Sequence, residues 1–352
     1  MGMIMSDTKN VVILGASGYT GAEAIRLIAG HPRLNIKAVT GYSRAGQSVA
    51  DTYPNFSPLG LPDIVKWEDV NWDNIDVAFA CLPHGASQDT IAQVIDKVET
   101  VIDLSADFRL KDPTLYEATY GRTHDHKALL STVVYGLSEY AKDALGDAKL
   151  VACPGCYPTC SLLSLLPAIE NDLIEADNII IDAKSGVTGA GRKEKTSLLY
   201  SELSDGAHAY GIGNHRHAPE IDQMISQFTD KAGPVTFTPH LIPMNRGMIA
   251  TCYVMLKSGN DIKDLRGVYE ARYADEPFVH VEKEGVAPQT RHVRGSNHCR
   301  IGIFADRVPG RVVIVSVLDN LTKGSSGQAL QNYNLTQGWD ETLGLLGSAL
   351  FP

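Results

Sequence analysis

Apolar positions in the first 155 residues form short runs that alternate with segments of helical spacing. Runs at residues 10–14, 36–40, 77–81, 100–104 and 149–152 have the length and β-branched content of buried strands. Between them, residues 20–28 and 91–98 repeat apolar side chains with the period of a helix. Because strands that alternate with helices indicate a parallel, doubly wound α/β sheet, we predict a Rossmann domain over residues 8–155.

The pattern changes after residue 156. A helical segment at 159–169 precedes apolar runs near 178–183, 235–237, 249–256, 278–281 and 312–318, and the loops between them are longer and more polar. This arrangement predicts a second, α+β domain with a mostly antiparallel sheet over residues 156–324. A last helical segment at 328–335 predicts that residues 325–352 return to the first domain as a C-terminal helix.

Composition narrows the class of protein. The 352 residues are 44% hydrophobic and 20% charged, which fits about two globular domains. The net charge of −10, without a cluster of Lys and Arg, argues against a nucleic-acid partner. No apolar run approaches the ~20 residues that span a bilayer. The first ten residues lack a secretory signal, and we take the loose N-myristoylation match at residues 1–6 as a chance match. We therefore expect a cytoplasmic protein with six free cysteines and no membrane partner.

A glycine-rich turn follows the first predicted strand and precedes the first predicted helix. Glycines at this junction let the backbone approach a pyrophosphate, and the helix N-terminus supplies amide donors. The turn departs from G-x-G-x-x-G, since its first glycine lies one residue further back, and a tight turn alone would also explain it. Its position at the first βα junction favours dinucleotide binding, with the candidate contacts Gly15, Ser17, Gly18, Tyr19, Thr20 and Gly21.

The segment after the second predicted strand indicates which dinucleotide is bound. An NAD site usually carries Asp or Glu there to hold the ribose hydroxyls. Residues 37–50 contain no acid, and Ser43 and Arg44 offer a hydroxyl and a cation to a 2′-phosphate. A solvated surface arginine is the alternative interpretation. We predict that the cofactor is NADP.

Three cysteines lie close together in the sequence, and Cys156 has the position of a nucleophile. It falls where a strand and a glycine turn meet a new helix, and Pro158 suits the first helical turn. A helix N-terminus lowers the pKa of a thiol and so favours the reactive thiolate. Cys153 is interpreted as strand-end packing and Cys160 as a buried helix residue, although an inert Cys156 also fits its position. We expect no metal, because zinc needs four ligands and the sequence has no second closely spaced cysteine pair.

Polar residues in loops supply candidates for proton transfer and anion binding. His215, His217 and Glu220 follow a glycine-rich stretch, and such a loop can provide an acid–base imidazole and a charged anchor. Arg109 follows a predicted sheet strand, where ligands of open α/β sheets bind, and its guanidinium can clamp a phosphate or carboxylate. Asp107 beside it fits a cap on nearby backbone groups. The loop at residues 185–193 is cationic and suits either an anion or solvent.

Together these motifs resemble the N-acetyl-γ-glutamyl-phosphate reductase family, which is related in fold and chemistry to aspartate-semialdehyde dehydrogenase and glyceraldehyde-3-phosphate dehydrogenase. The resemblance runs through most of the chain and rests on residues 15–21, 104–109, 154–159, 185–192, 215–220, 238–247 and 327–332. It implies NADPH-dependent reduction of N-acetyl-γ-glutamyl phosphate to N-acetylglutamate 5-semialdehyde and phosphate, through a cysteine thioester, in arginine biosynthesis. It also implies a homodimer or homotetramer, and a catalytic and oligomerisation role for the domain over residues 156–324.

The resemblance assigns roles to individual residues. Cys156 would be the nucleophile, His217 or His215 would carry the proton, and Arg109 would bind the substrate phosphate. Further expected substrate contacts are Ser185, Arg192 and Glu220. Further expected cofactor contacts are Pro83, Gly186, Asn320 and Gln328.

Two other functions are compatible with these residues. A related reductase that acts on aspartyl phosphate or on a carrier-linked aminoadipyl phosphate would share almost all of this chemistry. A carrier-protein substrate favours a basic rim around the pocket, and the net charge of −10 does not support it. A non-catalytic regulator that senses NADP is an alternative of another class. The presence of Cys156 together with both histidines argues against it.

Overall fold

The computed structural model describes residues 8–351, so the N-myristoylation match lies outside the described residues. The chain divides into two compact units. The first unit comprises the chain up to Pro154 together with Ser325–Leu346. The second unit comprises Gly155–Gly324 and the residues from Gly347 onwards. Among the described residues, no helix combines the length and the apolar character that crossing a membrane requires.

The first unit is an α/β structure with one seven-stranded sheet. Its strands are β1 Lys9–Leu14, β2 Leu34–Thr40, β3 Ile64–Val65, β4 Val77–Ala80, β5 Thr100–Asp103, β6 Val134–Tyr135 and β7 Leu150–Ala152. Its helices are α1 Tyr19–Ala29, α2 Val49–Thr52, α3 Ser87–Val94, α4 Pro113–Tyr120, α5 Lys127–Thr132, α6 Ser138–Leu145 and, from the end of the chain, α11 Gly327–Thr336.

The order of the strands places the ends of β1 and β4 at the switch point of this sheet. The order is β3-β2-β1-β4-β5-β7-β6, and every neighbouring pair is parallel. The predicted doubly wound parallel sheet is therefore confirmed. Strands β4 and β5 are buried along their whole length, which explains their continuous apolar runs. Ligands of such sheets bind beyond the carboxyl ends of the strands, where the order reverses between β1 and β4.

The second unit is built on a mixed sheet. Its strands are β8 Ile180–Gly186, β9 His208–Ala209, β10 Thr236–Ile242, β11 Met248–Met255, β12 Val279–Val281, β13 Cys299–Ala305 and β14 Arg311–Leu318. Its helices are α7 Cys156–Glu170, α8 Tyr200–Leu203, α9 Ala218–Ile225 and α10 Ile262–Arg272. In the order β12-β13-β14-β11-β8-β10-β9, only the pairs β12–β13 and β8–β10 are parallel. The prediction of a mostly antiparallel sheet is confirmed.

Helix α7 forms the centre of the second unit and packs against β11 and β14. Its residues from Tyr157 to Ile169 are all buried. Pro167 lies inside the helix and has no N–H, which leaves the carbonyl of Leu163 without its helical donor. The hydroxyl of Tyr273 donates to that carbonyl at 2.5 Å. The helix is thus held rigidly by apolar packing and by a neighbouring side chain, and its first residue is Cys156.

The end of the chain contributes to both units. Helix α11 ends at Thr336, and the first unit includes Ser325–Leu346, whereas the prediction gave all of residues 325–352 to a returning helix. The backbone N–H of Leu350 donates to the carbonyl of Arg294 at 2.8 Å, within the second unit. The Leu350 side chain packs on Gly295, where a Cβ would lie 3.2 Å from its Cδ1. The last residues therefore contact the rest of the second unit, while Leu350 and Phe351 stay 62% and 64% exposed.

Candidate active site

The glycine turn of the first unit contains three glycines that are required for different reasons. Gly15 has a φ of +84°, and a Cβ there would lie 2.5 Å from the carbonyl oxygen of Cys81. A Cβ on Gly21 would lie 2.5 Å from the carbonyl oxygen of Gly15. At Gly18 the nearest atom is 3.9 Å away, so no neighbouring protein atom demands a glycine there. In a dinucleotide-binding loop, one glycine forms the tight turn, one lets the backbone approach the pyrophosphate, and one allows the helix to pack closely on the strand. Gly15, Gly18 and Gly21 fit these three functions in that order.

The other predicted contacts of this turn surround the open position. Ser17, Tyr19 and Thr20 are partly exposed, and Tyr19 begins α1. The end of β2 is tied to the turn, because the backbone N–H of Ala16 donates to the carbonyl of Thr40 at 2.8 Å. The helix N-terminus thus presents backbone donors and positive potential beside Gly18.

The residues after β2 and β4 lie at the same edge of the sheet. Ser43 and Arg44 belong to a 3₁₀ turn, Tyr42–Arg44, where Ser43 is exposed and an Arg44 Nη1–H donates to Gln47 Oε1 at 3.1 Å. Pro83 is exposed in the loop after β4. Since β2 and β4 flank β1, these residues fit a nucleotide held over the glycine turn.

Asp107 holds the loop that contains Pro83. Its carboxylate is fully buried and accepts the backbone N–H of Gly85 at 2.8 Å and that of Ser87 at 3.1 Å. The interpretation of Asp107 as a backbone cap is therefore confirmed. It also explains why α3 begins at Ser87, four residues before the helix predicted from apolar spacing.

Arg109 is 7% exposed and lies between the ends of β5 and β7. Its Nε–H donates to the carbonyl of Cys153 at 2.8 Å, and an Nη2–H donates to the carbonyl of Leu104 at 3.0 Å. The guanidinium thus ties two strand ends together, immediately before the chain reaches residue 155. This gives Arg109 a structural contribution besides the phosphate binding predicted for it.

In the second unit, Cys156 is the first residue of α7 and is partly exposed, whereas its neighbours on both sides are buried. The hydrogen-bond ladder of the helix begins with the Thr159 N–H, which donates to the carbonyl of Gly155 at 2.9 Å. Pro158 has no N–H. The backbone donors that precede the ladder are therefore those of Gly155, Cys156 and Tyr157, beside the thiol.

Glu220 accepts a hydrogen bond from one of these backbone donors. Its carboxylate is 1% exposed, and Oε1 accepts the N–H of Gly155 at 2.8 Å. The buried carboxylate thus caps α7 one residue before Cys156, and the contact of Glu220 with the substrate stays a prediction. Its role here is to position the start of the helix.

His217 lies against Gly155. A Cβ on Gly155 would be 2.5 Å from Nε2 of His217 and 2.8 Å from its Cε1. The glycine thus makes room for the imidazole directly beside the residue that precedes Cys156. The residues Gly155, Cys156 and His217 therefore form one compact site within the second unit.

His215 supports this arrangement in the neutral state. Its Nδ1 accepts the backbone N–H of His217 at 3.1 Å, which requires an unprotonated Nδ1. Burial and the charge of Arg216 lower the pKa of His215 to about 4. The ring packs edge-to-face against Tyr157 and Tyr210, two residues that were not predicted to belong to the site. Their aromatic character beside Cys156 and before the glycine-rich stretch was the available signal.

Burial keeps three other thiols protonated. Burial raises the pKa of Cys153 and of Cys252 to about 12, and that of Cys160 well above the ordinary thiol value. Cys153 and Cys160 are at most 1% exposed, in agreement with their interpretation as packing residues. Among the described residues, no group of three or more His, Cys, Asp or Glu side chains could hold a metal ion.

Several predicted ligand contacts are occupied by the protein itself. Asn320 accepts the N–H of Gly247 at 2.8 Å and donates to Thr188 Oγ1 at 2.9 Å, so both ends of its amide hold loops. A Cβ on Gly186 would lie 2.8 Å from the carbonyl oxygen of Asn245, which explains this glycine by backbone packing. Asn320 and Gly186 thus support the loops of the second unit, and their contacts with the cofactor stay predictions.

The remaining predicted contacts have different surroundings. Ser185 is 1% exposed, and its hydroxyl donates to the carbonyl of Gly186 at 3.0 Å. Arg192 lies in an exposed loop. Gln328 is buried in the first unit, where its Nε2 donates to the hydroxyl of Ser138 at 2.6 Å and its Oε1 has no hydrogen-bond partner. Of these three side chains, only Arg192 is exposed for a ligand to approach.

Comparison with known proteins identifies both parts of the chain. Residues 10–148 match the family model "Semialdehyde dehydrogenase, NAD binding domain", and residues 156–320 match "Semialdehyde dehydrogenase, dimerisation domain". Two aspartate semialdehyde dehydrogenase structures share the fold. The Vibrio cholerae enzyme II complexed with ASA has a TM-score of 0.72 at 15% identity over 95% of this chain and 99% of its own. The Candida albicans enzyme with NADP has a TM-score of 0.70 at 15% identity, over 94% and 99%.

Curated relatives are much more similar in sequence. N-acetyl-gamma-glutamyl-phosphate reductase of Rhodospirillum rubrum is 51% identical over 99% of this chain and 100% of its own length. The protein of the same name from Afipia carboxidovorans is 49% identical over 98% and 99%. A probable chloroplastic form from Arabidopsis thaliana is 48% identical over 97% and 84%. With this identity over its full length, the chain belongs to the N-acetyl-gamma-glutamyl-phosphate reductase family.

Proposed function

We propose that this protein reduces N-acetyl-γ-glutamyl phosphate with NADPH to N-acetylglutamate 5-semialdehyde and phosphate, a step of arginine biosynthesis. The family name gives the substrate class. The observation that carries the chemistry is the position of Cys156, partly exposed at the start of α7, with the imidazole of His217 packed against the preceding residue, Gly155. A thiolate suits this reaction because it is both a good nucleophile and a good leaving group near neutral pH.

Covalent catalysis begins at Cys156. The Sγ thiolate attacks the acyl carbon, the bond from that carbon to the phosphate oxygen breaks, and inorganic phosphate leaves with the bonding electrons. A thioester on Cys156 results. The backbone N–H groups of Cys156 and Tyr157 precede the hydrogen-bond ladder of α7 and are the donors for the developing oxyanion. Glu220 fixes this helix start by accepting the N–H of Gly155.

His217 is the proton carrier in this proposal. The His217 ring lies against Gly155. In contrast, Nδ1 of His215 accepts the backbone N–H of His217, and the His215 pKa of about 4 keeps the His215 ring neutral. His217 therefore supplies the proton to the carbonyl oxygen as the thioester is reduced, and accepts it again when the hemithioacetal releases the thiolate and the aldehyde.

The cofactor site is proposed in the first unit. The backbone around Gly18 would hold the pyrophosphate, together with Ser17, Tyr19 and Thr20, and Pro83 would border the nucleotide. Ser43 and Arg44 would bind a 2′-phosphate, which favours NADP over NAD. When bound, NADPH supplies the hydride that reduces the thioester carbonyl. The match to a dimerisation domain supports a homodimer or homotetramer.

Two residues are proposed for substrate binding. Arg109 and Arg192 are the cationic candidates for the phosphate group, Arg109 from a buried position and Arg192 from an exposed loop. Both would act by charge-assisted hydrogen bonds to phosphate oxygens. Ser185, which is buried beside Gly186, is retained as a polar neighbour of the cationic loop.

The deciding assay is NADP-dependent oxidation of N-acetylglutamate 5-semialdehyde in the presence of phosphate, compared with aspartate semialdehyde. We expect kcat/KM for the acetylated substrate to be higher by a factor of at least about 100, since an unfilled acetyl site and misplaced polar groups cost several kcal/mol. Cys156→Ser should abolish turnover but leave NADP binding unchanged, whereas Cys153→Ser and Cys160→Ser should retain substantial activity. Equal use of both aldehydes would refute the substrate, and an active Cys156→Ser variant would refute the nucleophile.

A further inference from the structure

A rare backbone turn lies directly against the Cys156 side chain. Residues Thr322–Ser326 form a π-helical turn after β14, in which the N–H of Gly324 donates to the carbonyl of Asp319 at 2.9 Å. Single π turns are uncommon and occur frequently at functional sites. A Cβ on Gly324 would lie only 2.9 Å from Cβ of Cys156 and 3.1 Å from Cδ1 of Leu318. The turn thus forms the surface against which the proposed nucleophile rests.

Gly324 is required by space and not by conformation. It is absent from the glycines with positive φ, so alanine could adopt its backbone geometry. The atom that an added methyl group would meet is the first side-chain atom of Cys156, which cannot rotate away. An alanine here therefore moves either the turn or the cysteine.

Asp319 fixes the turn from its start. The carboxylate is fully buried, and Oδ1 accepts the N–H of Leu321 at 2.9 Å and that of Thr322 at 3.1 Å. Oδ2 accepts the N–H of Gly295 at 2.7 Å. A buried carboxylate with this many donors holds the local backbone in one conformation, and its charge requires a cationic partner.

Arg246 is that partner, and it also binds the turn directly at Thr322. Its Nε lies 3.0 Å from Oδ2 of Asp319, and an Nη2–H donates to Oγ1 of Thr322 at 3.1 Å. Arg246 comes from the loop between β10 and β11, far from Asp319 and Cys156 in the sequence. One guanidinium therefore connects this loop to the turn that contacts the nucleophile.

We propose that Gly324, Asp319, Arg246 and Thr322 are positioning residues that fix the Cys156 side chain for its attack on the acyl carbon. The inference rests on the proposed role of Cys156. The buried ion pair holds the π-helical turn, and Gly324 at its centre gives Cys156 a fixed backing at its Cβ. These residues act through Cys156 and need not touch the substrate.

Gly324→Ala tests the proposal directly. A displacement of roughly 1 Å at a reacting group can cost about 100-fold in rate, so we expect kcat to fall by about that factor, with KM for the semialdehyde changed less than about threefold. The rate of Cys156 alkylation by iodoacetamide should fall, and its pH midpoint should rise, as the thiol moves away from the helix N-terminus. Gly267→Ala is the matched control, because Gly267 lies in α10 with no atom within 4 Å of an added Cβ.

Thr322→Val provides a second test that preserves the shape of a buried side chain. It removes the hydroxyl that Arg246 holds, and we expect kcat and the alkylation rate to fall about three- to tenfold, with recovery in Thr322→Ser. Mass spectrometry should locate the alkylation at Cys156. The proposal is overturned if Gly324→Ala, or Thr322→Val where Gly324→Ala does not fold, leaves both rates within twofold of the parent. Turnover that persists in Cys156→Ser would instead refute the proposed function, independently of the π-helical turn.

Discussion

The contact between Gly155 and His217 permits a sharp test of the active site. Gly155→Ala adds one methyl group whose carbon would lie 2.5 Å from Nε2 of His217 and within 2.9 Å of two further ring atoms. Gly155 has φ −62° and ψ 155°, which any residue adopts. The hydrogen bonds of its N–H to Glu220 and of its carbonyl to Thr159 involve backbone atoms and survive the substitution. The added methyl group therefore acts on the imidazole and on little else.

The size of the effect follows from this geometry. Ordinary contact begins at 3.4 Å, so the ring must move by about 1 Å. General acid–base catalysis contributes about 10²- to 10⁴-fold, and a shift of this size removes most of it. We expect kcat to fall by about 100-fold or more, with the Kd for NADP unchanged.

The assay is steady-state oxidation of N-acetylglutamate 5-semialdehyde, combined with a double-mutant cycle. In His217→Ala the ring is absent, and the methyl group of Gly155→Ala then meets no imidazole. The same glycine substitution should therefore cost less than about threefold in the His217→Ala background. Such non-additivity separates displacement of the imidazole from a general disturbance of α7.

Two results would refute this reasoning. If Gly155→Ala keeps kcat within about threefold of the parent, the position of His217 is not important for turnover. If the substitution costs the same factor with and without His217, its effect is on the helix start instead. Gly267→Ala, which adds a methyl group in open space inside α10, should leave activity unchanged and should not lower the melting temperature, because alanine favours a helix interior more than glycine.

Three further predictions concern other parts of the molecule. Arg109→Ala should raise KM for phosphate about tenfold, and it should raise KM for the semialdehyde less. Equal increases in both KM values, together with a lower melting temperature, would mean that Arg109 serves only to hold the carbonyls of Leu104 and Cys153. The parent should prefer NADPH to NADH by at least about tenfold in kcat/KM, and Arg44→Ala should reduce that ratio by weakening NADPH alone; an equal loss for both cofactors would contradict the assignment. Urea unfolding should show lower stability at pH 5 than at pH 7, because burial lowers the pKa of His31, His215 and His298 to about 4 and the unfolded chain takes up these protons first. This effect outweighs the opposite contribution of two carboxyl groups whose pKa values are raised by burial, Asp103 at about 6 and Asp222. Constant stability between the two pH values would contradict this prediction.

The sequence determined the elements whose signal is local. Continuous apolar runs predicted β1, β4 and β5, and the glycine turn was recognised by its place between a strand and a helix. The position of Cys156 at a strand–turn–helix junction was likewise visible, because the residues that create it are neighbours in the chain. The spacing of apolar residues indicates which face of a helix or strand is buried, whatever element packs against that face.

The tertiary structure decided what depends on partners that are distant in sequence. Two-residue strands such as β3, β6 and β9 carry no periodic signal of their own, and α3 begins where Asp107 caps it. The last residues belong to the second unit, where Leu350 contacts Arg294 and Gly295.

The same reason separates the roles within the site. Glu220 is a polar residue in a histidine-rich loop by sequence, and only the fold brings its carboxylate to the N–H of Gly155. Gly324 is one of 32 glycines until β14 and the following turn place it against Cys156. Residue types near one another in the chain reveal candidate chemistry. The orientation of the nucleophile, however, depends on the contact of Gly155 with Glu220, 65 residues away, and on that of Cys156 with Gly324, 168 residues away. Only the folded topology creates these contacts.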